Sequence, residues 1–232
     1  MKYLERINST NDYVKEHLEE LDDFECVFTM NQFKGKGRTG HTWESEPYKN
    51  IALSILIKDD KITKKFGLVS IVVSLVVAEY LERLGMEDVS IKWPNDVYVK
   101  GKKICGILCE GSLPKYMVVG VGINVNQTNF GELNATSIKN ELDFEIDPKL
   151  VAVDIVDAFK YRMTYLGDDL AEAVEEYCSK DYLLNKTISF MRNGEELIGI
   201  AKGIDFDGSL KVLYNDTLIN VSTNEVNIVR KA

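Results

Sequence analysis

Histidine and cysteine are scarce here: the 232 residues contain two histidines, His17 and His41, and four cysteines. His17 falls in a helical pattern, so zinc hydrolysis and Ser-His-Asp chemistry find little support. Cys26, Cys105, Cys109 and Cys178 lack C-x-x-C spacing and sit among apolar neighbours, which reads as reduced core thiols in a cytoplasmic protein. Cys105 and Cys109 would share one face of a strand, but two residues do not make a zinc site. Long apolar runs are missing as well. The longest, residues 66–78, is too short to span a bilayer and is interrupted by serines, and the charged N-terminus has no signal-like segment. Positive charge is in deficit. Lys and Arg number 28 against 37 Asp and Glu, and the net charge of −9 argues against broad nucleic-acid binding. No internal repeat or low-complexity segment appears.

The cations that are present are concentrated in two basic islands, residues 34–41 and 92–103, an arrangement that suits small anionic ligands. The first island lies in Asn31-Gln32-Phe33-Lys34-Gly35-Lys36-Gly37-Arg38-Thr39-Gly40-His41-Thr42-Trp43. Glycines let backbone N–H groups approach an anion and cations neutralise it. Gly35, Gly37 and Gly40 match G-x-G-x-x-G by spacing, and Gly35 to Thr42 match the P-loop frame except that His41 stands in place of its lysine. Both motifs need a helix immediately afterwards. The residues that follow are a turn and an apolar strand near 51–57, so neither motif holds. A solvated surface loop remains the alternative from these residues alone.

Elsewhere the pattern predicts a capped helix starting near residue 10, a strand over 25–30, a strand over 50–57 and a long buried helix over 63–84 ended by Gly85. Short strands at 89–92 and 97–99 flank Lys92-Trp93-Pro94-Asn95-Asp96. Strands over 103–110 and 116–126 continue an antiparallel meander. Residues 127–147 are polar and irregular, and helices follow over 148–165 and 168–179. After Asn185, strands at 187–191, 197–204, 209–214, 217–222 and 226–229, separated by Asn193-Gly194, Asp207-Gly208 and Asn215-Asp216, predict a small SH3-like β-barrel. The expected division is 1–184 and 185–232.

Pro94 cannot join a central ladder, so its segment should break the sheet and direct Asn95 and Asp96 outwards; an Asn-Asp turn capped by a packed Trp93 is the alternative. Gly106 inside a strand marks either a bulge or the close approach of a ligand. Asn124 and Asn126 share a phase, facing either solvent or a polar ligand.

Ser9-Thr10-Asn11, the 35–43 loop preceded by Gln32, Lys92-Trp93-Pro94-Asn95-Asp96-Val97, Lys103-Ile104-Cys105-Gly106-Ile107-Leu108-Cys109-Glu110 and Gly120-Val121-Gly122-Ile123-Asn124 together resemble, in order and spacing, the motif set of the biotin protein ligases. The resemblance runs across nearly the whole chain, including Gly203-Ile204-Asp205-Phe206-Asp207-Gly208. It implies an α+β fold with a mixed, largely antiparallel sheet packed with helices, of the class II synthetase-like kind, followed by the SH3-like barrel. The implied reaction activates biotin with Mg²⁺-ATP to biotinyl-5′-adenylate and passes biotin to one lysine of a biotin carboxyl carrier protein. Carried over by position, Ser9, Thr10, Asn11, Gln32, Lys36, Gly37, Arg38, Lys103 and Gly106 would hold biotin. Trp43, Lys92, Asn95 and Asn124 would surround the nucleotide. Arg38 and Lys103 would be catalytic, and Asp96 would bind Mg²⁺ or orient the acceptor amine.

Departures stand out. The family loop usually reads G-R-G-R-x-G-R, and Lys36 and His41 replace two arginines here. Lysine lacks the guanidinium fork and histidine is fully charged only below neutrality, so looser retention of the adenylate is expected. The chain starts at the catalytic part, so no DNA binding is expected. A homodimer through the edge of the 116–126 strand is a candidate arrangement. A lipoate or octanoate protein ligase and a non-catalytic ligand-binding regulatory module are the alternatives; the arginine-rich, triple-glycine sequence of the former is missing, and pure binding does not need both Arg38 and Lys103.

Overall fold

A computed structural model describes residues 1–165 and 170–223. In chain order its elements are β1 (Lys2–Tyr3), α1 (Thr10–Glu16), β2 (Cys26–Thr29), β3 (Gly35–Lys36), β4 (Thr42–Trp43), β5 (Ile51–Ile57), α2 (Asp60–Thr63) and α3 (Phe66–Arg83). Then come β6 (Val89–Lys92), β7 (Asp96–Val99), β8 (Lys102–Ser112), β9 (Tyr116–Ile123), α4 (Ile138–Leu142), α5 (Pro148–Tyr165) and α6 (Leu170–Ser179), followed by β10 (Thr187–Arg192), β11 (Glu195–Ile204), β12 (Leu210–Tyr214) and β13 (Thr217–Val221).

Seven strands form one sheet in the order β1-β2-β5-β9-β8-β7-β6. Only the β1–β2 pair is parallel; the rest are antiparallel, giving the expected α+β class. All seven residues of β5 are buried, because α1 covers one face of the sheet and α5 the other. Helix α3 is apolar all round for the same kind of reason: strands β6, β7 and β8 lie on one side and α5 and α6 on the other. The sequence predicts one helix over 63–84, whereas the chain leaves helical geometry at Lys65 (φ −102°, ψ 36°) between α2 and α3. Two tertiary contacts fix that break. The Thr63 hydroxyl donates to the Pro114 carbonyl at 2.9 Å, and Gly67 lies so close to the Asp207-Gly208 turn that a Cβ there would meet the Asp207 carbonyl oxygen at 2.5 Å.

The second sheet is an antiparallel meander, β10-β11-β12-β13. Asn193-Gly194 and Asn215-Asp216 turn it with positive φ at both central residues (53° and 83°, 47° and 59°), matching the right-handed twist of the strands they join. The described strands make an open sheet rather than the closed barrel expected, and the fifth expected strand, 226–229, lies outside the described residues. Its inner face, with Ile188, Phe190, Ala201, Leu210 and Val212, belongs to the same buried core as the large sheet. Trp93 adds a polar tie across the junction, its indole Nε1 donating to the Gly208 carbonyl at 3.0 Å.

Strand β9 is central, hydrogen-bonded to β5 on one side and β8 on the other, so residues 116–126 do not provide the free edge expected for a dimer. At one rim stands the two-residue β1. At the other, β6 is capped by backbone: Ile91 N–H donates to the Lys180 carbonyl at 2.8 Å and Tyr182 N–H to the Ile91 carbonyl at 2.9 Å. Asp181, between them, accepts from Leu183 N–H at 2.8 Å while its second oxygen is buried without a partner. Burial pushes its carboxyl up to about 6.

Candidate active site

The floor of the site comes from strand register. Across β5, β9, β8 and β7 the residues Ala52, Gly122, Gly106 and Asp96 are consecutive pairing partners, and Ser54, Gly120 and Leu108 form the next row. Side chains this small in the middle of a sheet leave a hollow, and α1, the β3–β4 hairpin and the Trp93-Pro94-Asn95 turn wall it in. The resulting cavity measures about 300 Å³.

At one end the groups are polar and uncharged. Ser9 caps α1, accepting from Asp12 N–H at 3.3 Å, so Thr10 and Asn11 are delivered to the cavity by the first turn of the helix. Gln32 Oε1 accepts from the Thr10 N–H at 2.8 Å and from its hydroxyl at 3.2 Å. The Ser54 hydroxyl lies 2.7 Å from Thr10 Oγ1 and 2.6 Å from Asn11 Oδ1. Asn11 Nδ2 donates to the Leu108 carbonyl at 3.2 Å and to Glu110 at 2.8 Å. A buried hydrogen-bond network of this kind holds its donors and acceptors in fixed directions. Ser54 was not among the candidates, although a lone hydroxyl inside the apolar strand 51–57 is the signal that could have found it.

The other end is cationic. Lys36, Arg38, Lys92 and Lys103 line the cavity with one carboxylate, Asp96, so a protein of net charge −9 keeps an electropositive pocket. Lys103 Nζ is 2.7 Å from Asp96 Oδ1 and 5.7 Å from the centre of the Trp43 ring. Arg38 stands on the single helical turn Arg38–Gly40, half-buried, and donates from Nη2 to the Thr223 carbonyl at 2.6 Å. Burial lowers its pKa from the usual arginine value, opposed by the charge of Asp96. Burial likewise lowers Lys92, again with Asp96 opposing, and its ammonium sits 5.5 Å from the Tyr98 ring centre. Trp43 lies on the glycine floor: a Cβ at Gly122 would be 2.5 Å from the ring and one at Gly106 would be 3.0 Å from it. Its indole Nε1 is buried without a hydrogen-bond partner.

Ser9, Thr10, Asn11, Gln32, Lys36, Gly37, Arg38, Trp43, Lys92, Asn95, Asp96, Lys103 and Gly106 all line this one cavity. Asn124 does not. Its amide donates to the Thr136 carbonyl at 2.9 Å, and Asn126 donates to the Ile146 carbonyl at 2.8 Å. These two asparagines therefore face neither solvent nor a ligand; they anchor residues 127–147, where α4 replaces the irregular segment expected. Asn95 is partly committed too, with Nδ2 donating to the Ile107 carbonyl at 2.6 Å. Trp93 is packed in the core, 2 % exposed, with part of its surface on the cavity.

A family model described as the biotin/lipoate A/B protein ligase family matches residues 3–124, which carry the whole cavity floor and flap. The chain belongs to that family. Among relatives of the ligase family, the bifunctional ligase/repressor BirA of Escherichia coli K12 is 29% identical over 222 residues, covering 92% of this chain and 68% of its own length. A biotin–[acetyl-CoA-carboxylase] ligase of Mycobacterium tuberculosis is 27% identical over 209 residues, covering 86% of this chain and 77% of its own. A solved structure of the biotin protein ligase from Aquifex aeolicus in complex with biotin and ATP superposes with a TM-score of 0.88 at 26% identity, covering 99% of this chain and 98% of that one.

Proposed function

We propose that the protein is a biotin protein ligase, which activates biotin with Mg²⁺-ATP to biotinyl-5′-AMP and pyrophosphate and then transfers biotin to a lysine of a biotin carboxyl carrier protein. The division of the cavity carries this reading: a neutral hydrogen-bonding end fits a ureido head, and a cationic end with one carboxylate fits a carboxylate brought against a phosphate. Residues 1–184 are assigned as the catalytic domain and 185–232 as an SH3-like C-terminal domain.

Joining two anions is opposed by their repulsion. Lys103 and Arg38, both lining the cavity, offset it and stabilise the charge that spreads over the phosphoryl oxygens during in-line displacement. Lys36 brings a charge to the biotin carboxylate, and Gly37, with no side chain, lets the flap approach it closely. Ser9, Thr10, Asn11 and Gln32 orient the head, so that much of the barrier is met by alignment. Trp43 provides a flat apolar face for the nucleotide, and Lys92 and Asn95 line the same cavity. The cavity has a single carboxylate, and no cluster of three or more metal-ligating side chains exists among the described residues. That donor set fits Mg²⁺ held chiefly through nucleotide phosphates, with Asp96 as its protein contact, where it would supply Lewis-acid neutralisation. In the second step the acceptor amine, with an ordinary pKa of roughly 10.4, has to lose a proton, and orienting that amine is the alternative role for Asp96.

Incubation with labelled biotin, Mg²⁺-ATP and a carrier domain, with lipoate in a parallel reaction, tests the assignment. Covalent biotin on the carrier is expected. Transfer of lipoate instead, or of neither acid, would overturn it in favour of a lipoate ligase or a binding module.

A further inference from the structure

The lysine that stands in place of an arginine in the flap lines the cavity and also reaches a partner beyond its lining. Lys36 Nζ donates to Asp12 on α1, 2.8 Å from Oδ1 and 2.7 Å from Oδ2. Asp12 is drawn in turn to Lys15 at 3.1 Å, and Lys15 to Glu110 on β8 at 3.2 Å. Glu110 accepts from Asn11, whose Oδ1 accepts from the buried hydroxyl of Ser54 behind the cavity lining. An unbroken run of polar contacts thus connects the flap to the neutral end of the cavity. Asp12 bears this arrangement at its narrowest point. Its side chain is 20% exposed, and burial, which raises its pKa, is outweighed by hydrogen bonds from Lys36 and Lys15, so the group sits below the usual carboxylate range and stays ionised.

We infer that Asp12 is a positioning residue that latches the β3–β4 hairpin to α1 through Lys36, seating the flap over the cavity and slowing escape of the adenylate. Two features favour a latch over a surface ion pair of no consequence. The hairpin has only two residues in each strand, paired Gly35 with Trp43 and Lys36 with Thr42, so it has little intrinsic stability and depends on what its side chains grip. Arg38, between its two strands, is tied elsewhere, to the carbonyl of Thr223, two residues beyond the end of β13. Lys36 therefore holds one side of the flap and Arg38 the other. This assignment rests on the cavity being an adenylate site, but the latch itself can be read without ligand.

The test compares wild type, Asp12→Asn, Asp12→Glu, Lys36→Met and the double variant Asp12→Asn/Lys36→Met. Hydrogen exchange of amides 35–43 is measured in the ligand-free proteins, and the dissociation rate of preformed biotinyl-5′-AMP is measured for each. Asn keeps the shape of Asp12 and removes its charge, and equal melting temperatures exclude misfolding as a cause. A half-exposed pair of this kind predicts about two- to fivefold faster exchange and release in Asp12→Asn. No further acceleration is expected in the double variant relative to Lys36→Met, and recovery is expected in Asp12→Glu. Additive effects of the two substitutions, or unchanged flap exchange in Asp12→Asn, would overturn the latch. A wild-type enzyme that binds no adenylate while its flap exchange still responds to Asp12 would refute the ligase reading and leave the latch standing.

Discussion

Replacing Gly122 by alanine puts one methyl group under the indole of Trp43. An ideal Cβ at this position lies 2.5 Å from Cε2, 2.7 Å from Nε1 and 2.8 Å from Cζ2, against an ordinary carbon contact of about 3.5–4.0 Å. The ring therefore has to rise by about 1 Å. β9 cannot give way, because Gly122 is paired with Ala52 on one side and Gly106 on the other. Trp43 can, since it belongs to a two-residue strand of the flap. Overpacking by one methyl costs about 1–3 kcal/mol, and the mobile partner is the binding surface, so the cost should appear in nucleotide binding rather than in folding. We expect the KM for ATP to rise about 5- to 150-fold, the KM for biotin to change far less, and the melting temperature to hold within a few degrees. Steady-state kinetics with each substrate varied in turn read the first two, and thermal melting reads the third. In a Trp43→Ala background the methyl group meets no ring, so Gly122→Ala should then add nothing. Equal increases in both KM values, or a full effect of the methyl group without Trp43, would refute the reasoning.

Ser54→Ala removes the hydroxyl between Thr10 and Asn11 and leaves a buried acceptor unpaired; we expect about 1–3 kcal/mol lost from stability by denaturant unfolding and a higher KM for biotin, with the KM for ATP unchanged. Asp96→Asn deprives Lys103 of its 2.7 Å partner, and single-turnover measurements should show adenylation or transfer slowed about tenfold or more; unchanged rates in both half-reactions would exclude a role for this carboxylate. Asp181 is raised to about 6 by burial, above its unfolded value of roughly 3.9, so the folded state binds more protons between these values and stability falls as pH rises through that window. Asp181→Asn should therefore raise the melting temperature at pH 7.5 and leave it nearly unaltered at pH 4; the same shift at both pH values would show that ionisation is not the cause.

Much of the site was legible through the resemblance to the biotin protein ligase motif set, because residue types alone left open a solvated loop at 35–43, an Asn-Asp turn at 95–96 and a bulge at Gly106. The structure brings Lys36, Gly37, Arg38, Asn95, Asp96, Lys103 and Gly106 to one cavity. Alternation located the strands of the second sheet, whose burial has a period of two, whereas β5, buried on both faces, showed as a continuous apolar run. What escaped was set by distant contacts. Nothing near Lys65 in the sequence announces that Gly67 must clear the Asp207 carbonyl, so the 63–84 helix read as continuous. Asn124 and Asn126 have the correct types and phase for a site, but β9 ends at Ile123 and their amides turn to Thr136 and Ile146. The centrality of β9, which removes 116–126 as a docking edge, depends on strand order, and strand order is invisible to local pattern.

The glycine rows at the bottom of the cavity bear on the thermodynamics of filling it. Their depth is fixed by backbone in two strands that are hydrogen-bonded on both sides, not by rotamers that a ligand would have to select. The floor therefore loses almost no conformational entropy on binding, and ordering is confined to the flap. Titration calorimetry should find a small heat-capacity change for biotin alone, scaling with the apolar surface it covers, and a larger one when the nucleotide draws Trp43 and the hairpin into contact.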